Sequence, residues 1–176
     1  MLATSDSELS ISKVFQSVGR KYVRYFNHTY QRTGALWEGR YRATVVDSEA
    51  YVMKLMRYIE LNPVRAGMVA HPRDYAWSSY SRNGDGGEGA NADWVKSHAN
   101  YHAIASDPHE RLRAYRALFD APIDNAELER IRDCTHKGWA LGDARFEAEI
   151  EIHTGQQLGS KGVGRPRILV ASHNRV

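Results

Sequence analysis

Apolar residues near the start of the chain fall into a helical rhythm. Ile11, Val14, Phe15, Val18, Tyr22 and Tyr25 or Phe26 step by three and four, the spacing that stacks side chains on one helix face. Lys13, Arg20, Lys21 and Arg24 take the other side, and Ser10 or Ser12 can cap the start of a helix reaching about Tyr30. Gln31-Arg32-Thr33-Gly34 reads as a turn with a helix-ending glycine. The period then changes to two over residues 35–46. Trp37, Tyr41, Ala43 and Val45 alternate with Arg40, Arg42 and Thr44, which predicts a half-buried strand whose second face is basic.

Asp47 or Ser48 opens a second helix, with Val52, Leu55, Met56 and Ile59 as its core stripe. Asn62-Pro63 stops it after about Leu61, because a residue before proline avoids the helical region. A compact turn through Gly67 and an aromatic cluster at residues 75–80 follow, with Trp77 and Tyr80, like Trp37 and Tyr41, assigned to the core. The stretch RNGDGGEGANAD at residues 82–93 is the best internal boundary. Beyond it, residues 108–119, 124–133 (capped by Asp124) and 143–153 read as helices. From Gly155 on, the Gly/Lys/Arg-rich composition predicts disorder. The expected organisation is therefore a body at 1–81, a linker at 82–93, a helical extension at 94–154 and a basic tail at 155–176.

Composition adds few constraints. Hydrophobic residues make up 42% and charged residues 26% of the chain, ordinary for a globular domain. No run of about 18 apolar residues occurs, so no membrane helix is expected. Cys134 is the single cysteine, which excludes an internal disulfide and a cysteine-built zinc site and fits a reduced, cytoplasmic protein. The net charge is only +3, but it is unevenly spread. Residues 1–82 carry 12 Lys/Arg against 7 Asp/Glu, residues 83–155 carry 8 against 14, and the last 21 residues carry 4 against none. A basic body and basic tail flanking an acidic section fit a nucleic-acid binder better than a metabolic enzyme.

The segment Arg57-Tyr58-Ile59-Glu60-Leu61-Asn62-Pro63-Val64-Arg65-Ala66-Gly67 carries the candidate chemistry. Tyr58 and Asn62 are four apart near a helix end, so they share a face, with Lys54 one turn earlier. A tyrosine can attack a phosphodiester and form a phosphotyrosine, splitting one hard step into two. Such chemistry uses a divalent cation to polarise the phosphate, and an amide oxygen one turn away can help hold it. Taken alone, that spacing more often marks a tyrosine packed on the core with an asparagine capping the turn.

The stretch TGALWEGRYRATVVDSEAYVMKLMRYIELNPVRAGMVAHPRDYAWSSY, residues 33–80, resembles the REP-associated tyrosine transposases, a branch of the HUH single-strand DNA transposases. Residues 36–42 (LWEGRYR) and 58–67 (YIELNPVRAG) carry the match, and weaker likeness extends it over about residues 9 to 150. The resemblance implies an α+β fold: part of an HUH-type antiparallel sheet with helices packed on it, followed by the helical extension. It also implies cleavage and rejoining of single-stranded DNA at palindromic repeats, with Tyr58 as nucleophile, Asn62 at the metal site and Mg²⁺ or Mn²⁺ as cofactor. The family's metal is held chiefly by a His-x-His pair on a strand ahead of the first helix. The eight histidines here, at 28, 71, 98, 102, 109, 136, 153 and 173, include no such pair. His98 and His102 are four apart, as in a helical metal pair. The expectation is thus an N-terminally truncated transposase, inactive as given, whose alternative is a non-catalytic DNA-binding remnant or regulator.

Arg20, Lys21, Arg24, Arg40, Arg42, Arg57 and Arg65 interleave with Tyr22, Tyr25, Trp37, Tyr41 and Tyr58. Cations that track phosphates and aromatics that stack on bases are what a single-strand groove needs. Arg165 and Arg167 lie in Gly164-Arg165-Pro166-Arg167, which resembles the core of an AT-hook, an arm that enters a narrow minor groove. The partner predicted from these features is single-stranded or hairpin DNA.

Overall fold

Helix α2, Ser48–Glu60, contributes to both apolar cores of the computed structural model, which describes residues 1–5, 7–39, 41–87 and 95–155. It starts as its sequence predicts: the Asp47 carboxylate accepts the N–H groups of Glu49 and Ala50 at 3.0 and 3.4 Å, satisfying donors that a helix start leaves open. Val52 and Met56, one turn apart, pack with Tyr80, Tyr101 and Tyr115. Leu55, on the neighbouring side, packs with Ile131, Cys134 and Leu141. Both cores therefore draw on residues from either side of the glycine-rich stretch at 82–93.

After α2 the chain forms α3 (Asn62–Arg65), a 3-10 turn at Pro72–Asp74, α4 (Tyr80–Asn83), α5 (Ala99–His102), α6 (Pro108–Ala117), α7 (Asn125–Lys137) and α8 (Ala144–Thr154). Asp107 and Asp143 cap α6 and α8 through the N–H groups of Glu110 and Phe146, each at 2.8 Å. The predicted cap Asp124 precedes α7, but its side chain makes no capping bond. Gly138 ends α7 with φ of 70°, a left-handed conformation that suits glycine. The reversal sends Leu141, 1% exposed, back into the second core. No helix among the described residues is long and apolar enough to cross a membrane. The tail at residues 156–176, expected to be disordered, lies outside the described residues.

The α+β expectation is overturned: among the described residues the structure is helical, with no β-strand and no antiparallel sheet. Where a strand was predicted over 35–46, the chain makes a single bridge, Val46 to Leu141, in parallel sense. Leu141 N–H donates to Val45 O at 2.8 Å and Asp47 N–H to Leu141 O at 2.9 Å. Alternation alone does not make a strand, because each backbone N–H and C=O also needs a partner alongside. Here side chains fasten the segment to the end of α7 instead. Arg42 Nη1 donates to His136 O at 2.6 Å and Thr44 Oγ1 to Cys134 O at 3.1 Å.

Helix α1, Ser10–Thr29, has the predicted amphipathic pattern, but none of its residues is buried. No side chain caps it; Leu9 precedes the first turn, and the Ser12 hydroxyl lies 2.8 Å from that of Tyr41. The segment after Gly34 runs back along α1 on aromatic contacts. Asn27 Nδ2 donates to Gly34 O at 2.9 Å, Trp37 faces Tyr22 at 6.2 Å, and Tyr41 stacks on Phe15 at 4.6 Å. Of the four aromatics assigned to the core, only Tyr80 is buried; Trp37, Tyr41 and Trp77 are exposed. Their large apolar area is spent on contacts between α1 and the returning segment, or on solvent.

One more turn along the Val52–Met56 stripe lies Glu60, 1% exposed. Its carboxylate accepts from Ser79 Oγ at 2.5 Å, Asn83 Nδ2 at 3.1 Å and Tyr115 Oη at 2.8 Å, so one side chain ties α2 to α4 and α6. Burial pushes its pKa above the ordinary value of 4.5, and the three hydrogen bonds pull it partly back. The folded state therefore holds the Glu60 proton more tightly than the unfolded chain. The stability this confers is fully present below the ordinary carboxylate pKa and is lost as pH rises through the raised one. Urea unfolding across that window should show Glu60→Gln escaping this loss while keeping most of the stability. Glu60→Ala should cost roughly 1–3 kcal/mol for each donor left unpaired. Parallel pH profiles for wild type and Glu60→Gln would show that another group titrates.

Candidate nucleic-acid interface and the tyrosine site

Helix α2 stops where the sequence predicts, but the chain turns at once into a further helical turn. Leu61 sits between α2 and α3 with near-helical φ and ψ of −83° and −7°, and Pro63 falls in the first turn of α3, where its missing N–H costs nothing. Arg65 N–H donates to Leu61 O at 3.0 Å and Ala66 N–H to Asn62 O at 2.9 Å. This tight continuation folds Arg65 back onto the end of α2.

Tyr58 is half-buried, its ring packed against the Leu55–Ile131–Cys134–Leu141 core. The Arg65 guanidinium lies over the ring, its carbon 4.3 Å from the ring centre, a cation–π arrangement. Arg65 Nη2 also donates to Tyr58 O at 2.8 Å and to the side-chain oxygen of Asn62. Desolvation lowers the Arg65 pKa, the Tyr58 oxygen opposes that shift and Arg132 adds to it, though a guanidinium keeps its charge through such changes. The structure thus brings Tyr58, Asn62 and Arg65 together. The sequence reading included all three but did not connect Arg65 to the other two.

The residues present do not fit a divalent cation. The Asn62 oxygen that would bind it already accepts from a guanidinium, and a fixed positive charge there repels a second one. Among the described residues, no group of three or more His, Cys, Asp or Glu side chains is placed to hold a metal. His98, half of the candidate helical pair, caps α5 by accepting the Asn100 N–H on Nδ1 at 3.1 Å. Exposed His102 lies edge-on to Tyr101, their rings 5.6 Å apart.

The remaining predicted site residues separate into groups. Arg20, Lys21 and Arg24 are exposed on α1, and none enters an ion pair among the described residues. Tyr22, Tyr25 and Trp37 are exposed nearby at 46%, 63% and 58%. Lys54 pairs with Glu127 at 2.7 Å, and Arg57 donates to Ala121 O, so both fasten α2 to later parts of the chain. Arg42 is held at the end of α7 by its bond to His136 O, a terminus that favours cations. Arg40, Arg165 and Arg167 lie outside the described residues. Cys134 is buried, and desolvation raises its thiol pKa, the opposite of a reactive cysteine.

Sequence reasoning missed Glu60 as a buried anchor two residues from both Tyr58 and Asn62. Its place on the stripe Val52, Met56, Glu60, stepping by four, was the available signal. No protein-family model, curated protein or solved structure matches the chain.

Reversing the charges of Arg20, Lys21 and Arg24 together should flatten the salt dependence of single-strand DNA binding. Each lost phosphate contact lowers the magnitude of the log–log slope by roughly 0.7. Reversing Arg42 should leave the slope nearly intact and cost stability through its lost bond to α7. Anisotropy titrations over a salt series separate the two; an unchanged slope in the triple variant would place the DNA elsewhere.

Proposed function

We propose that this chain is a DNA-binding protein of the single-strand tyrosine-transposase kind. Its described residues carry the candidate DNA-binding surfaces and the tyrosine, while the donor set around Asn62 does not fit a metal ion. The observation that carries the reading is the grouping of Tyr58, Asn62 and Arg65 at the end of α2, within the segment that most resembles that family. A phenol and a guanidinium side by side suit a phosphodiester: the cation takes the phosphate charge while the phenol oxygen stands beside it. The exposed cations and aromatics of α1 add contacts for backbone and bases without sequence preference.

In the transposase reaction, the Tyr58 oxygen bonds to phosphorus as one phosphate ester bond breaks. The phenol proton is lost, and the departing DNA oxygen gains one to become a free hydroxyl. Mg²⁺ or Mn²⁺ is the cofactor that the resemblance implies. The donor set around Asn62 does not suit either ion, and this favours a second reading, DNA binding without strand cleavage.

The decisive experiment incubates the chain with labelled hairpin DNA and resolves the products on denaturing gels. The expected result is binding without Mg²⁺-dependent nicking, with Tyr58→Phe keeping nearly the wild-type affinity because the ring remains. Cleavage that needs Mg²⁺, stops in EDTA and disappears in Tyr58→Phe would establish the cleavage step of the transposase reaction and overturn the binding-only reading. Cleavage that survives Tyr58→Phe would remove Tyr58 from the role of nucleophile, and a chain that binds no single-stranded or hairpin DNA would overturn the proposal.

A further inference from the structure

We propose that Arg65 is the phosphate-binding residue of the Tyr58 site, and that Asn62 positions its guanidinium there instead of holding a metal ion. This rests on the DNA-binding reading above and names the contact through which the tyrosine site takes a single-strand phosphodiester.

Three observations place the cation. The guanidinium lies 4.3 Å over the Tyr58 ring, which fixes its plane. Nη2 donates to Tyr58 O at 2.8 Å and to the Asn62 side-chain oxygen, which fixes its rotation. Both of these bonds use Nη2; the guanidinium also engages the Tyr58 phenol, and its remaining N–H groups can take an anion, since guanidinium forks match phosphate oxygens in pairs. No carboxylate neutralises Arg65 among the ion pairs of the described residues. Arg57 and Lys54, on α2 with Tyr58, are otherwise engaged, one with a carbonyl and one with Glu127. Arg132 of α7 adds to the positive field at Arg65, its own guanidinium being paired with Glu129 at 2.9 Å.

Asn62 has the chemistry for the positioning role. Its amide oxygen accepts from the guanidinium without cancelling the charge, whereas a carboxylate in its place would form an ion pair and compete with the phosphate. A metal at the Asn62 oxygen would have to displace Arg65, so cation binding and the observed arrangement exclude each other.

The test measures binding of a labelled hairpin oligonucleotide by anisotropy over a salt series, once in EDTA and once in Mg²⁺. Arg65→Ala should lower the magnitude of the log–log salt slope by roughly 0.7, one single-strand phosphate contact, equally in both buffers. Arg65→Lys should restore the slope but not the full affinity, because an ammonium cannot supply the fork. Asn62→Asp should weaken binding in EDTA by pairing with Arg65. It also serves where Arg65→Ala unfolds, which circular dichroism detects. A wild-type slope in folded Arg65→Ala, or in Asn62→Asp if Arg65→Ala does not fold, overturns the assignment. So does Mg²⁺-enhanced binding that Asn62→Asp strengthens, since that is how a metal ligand behaves. Failure of the wild type to bind DNA overturns the underlying DNA-binding reading, and this assignment with it.

Discussion

A buried carboxylate organises the structure. Glu60 ends α2 in a place water does not reach, and it is tolerable there only because Ser79, Asn83 and Tyr115 aim donors at its two oxygens. Those donors come from two separate stretches of chain, residues 79–83 and α6, so satisfying one side chain sets where α4 and α6 stand relative to α2. Tyr115, fully buried, has its phenol pKa pushed far upward, by desolvation first and by Glu60 second. It therefore remains a donor at any pH the fold experiences. The apolar stripe below packs Val52 and Met56 against Tyr80 and Tyr101. An apolar contact has no direction, however, and the hydrogen bonds choose one arrangement among those the stripe would permit.

The consequence for the candidate site is mechanical. Tyr58 and Asn62 flank Glu60 by two residues on either side, and the Tyr58 ring rests on a second core built from α7 and Leu141. The end of α2 is thus held on one side by hydrogen bonds and on the other by packing. Arg57 and Lys54 add bonds to residues 121 and 127. A side chain whose position must be accurate to a fraction of an ångström is best carried by such an over-determined helix end. Helix α1 contrasts with it: its cations and aromatics are exposed and none of its residues is buried, which suits contacts that need charge and π-faces more than fixed geometry.

The longer helices, α1, α2, α6, α7 and α8, were legible in the sequence because a helix satisfies its own backbone and needs only one apolar stripe. The start of α2 could be read from Asp47, its end from Asn62-Pro63, and α8 from Asp143. The strand over 35–46 was misread for the opposite reason. A strand's hydrogen bonds are made with another segment, and alternation at Trp37, Tyr41 and Val45 says nothing about whether that segment exists. Burial failed likewise: an amphipathic face at Val14, Val18 and Tyr25 states which side is apolar, not that anything covers it. At the site, Tyr58 and Asn62 were found from their spacing and from resemblance. Arg65 was seen only as a cation for DNA, because its return onto Tyr58 depends on the extra helical turn that Pro63 begins.

That turn is where local and global requirements meet. Proline has no N–H with which to continue the hydrogen bonds of α2, yet its fixed φ also suits the first turn of α3. One residue thereby stops a helix and restarts the chain in helical conformation, with Leu61 bridging the two. Had the chain left α2 in an extended conformation, Arg65 would lie roughly 10 Å or more from Tyr58, since an extended residue advances about 3.3 Å. The cation over the tyrosine is therefore set by backbone conformation at residues 61–63 before any side-chain preference acts. The anchoring of Glu60 in turn fixes the direction in which that turn projects. Electrostatics at the site is then a consequence of chain geometry, and a substitution at Pro63 would reach Tyr58 without touching it.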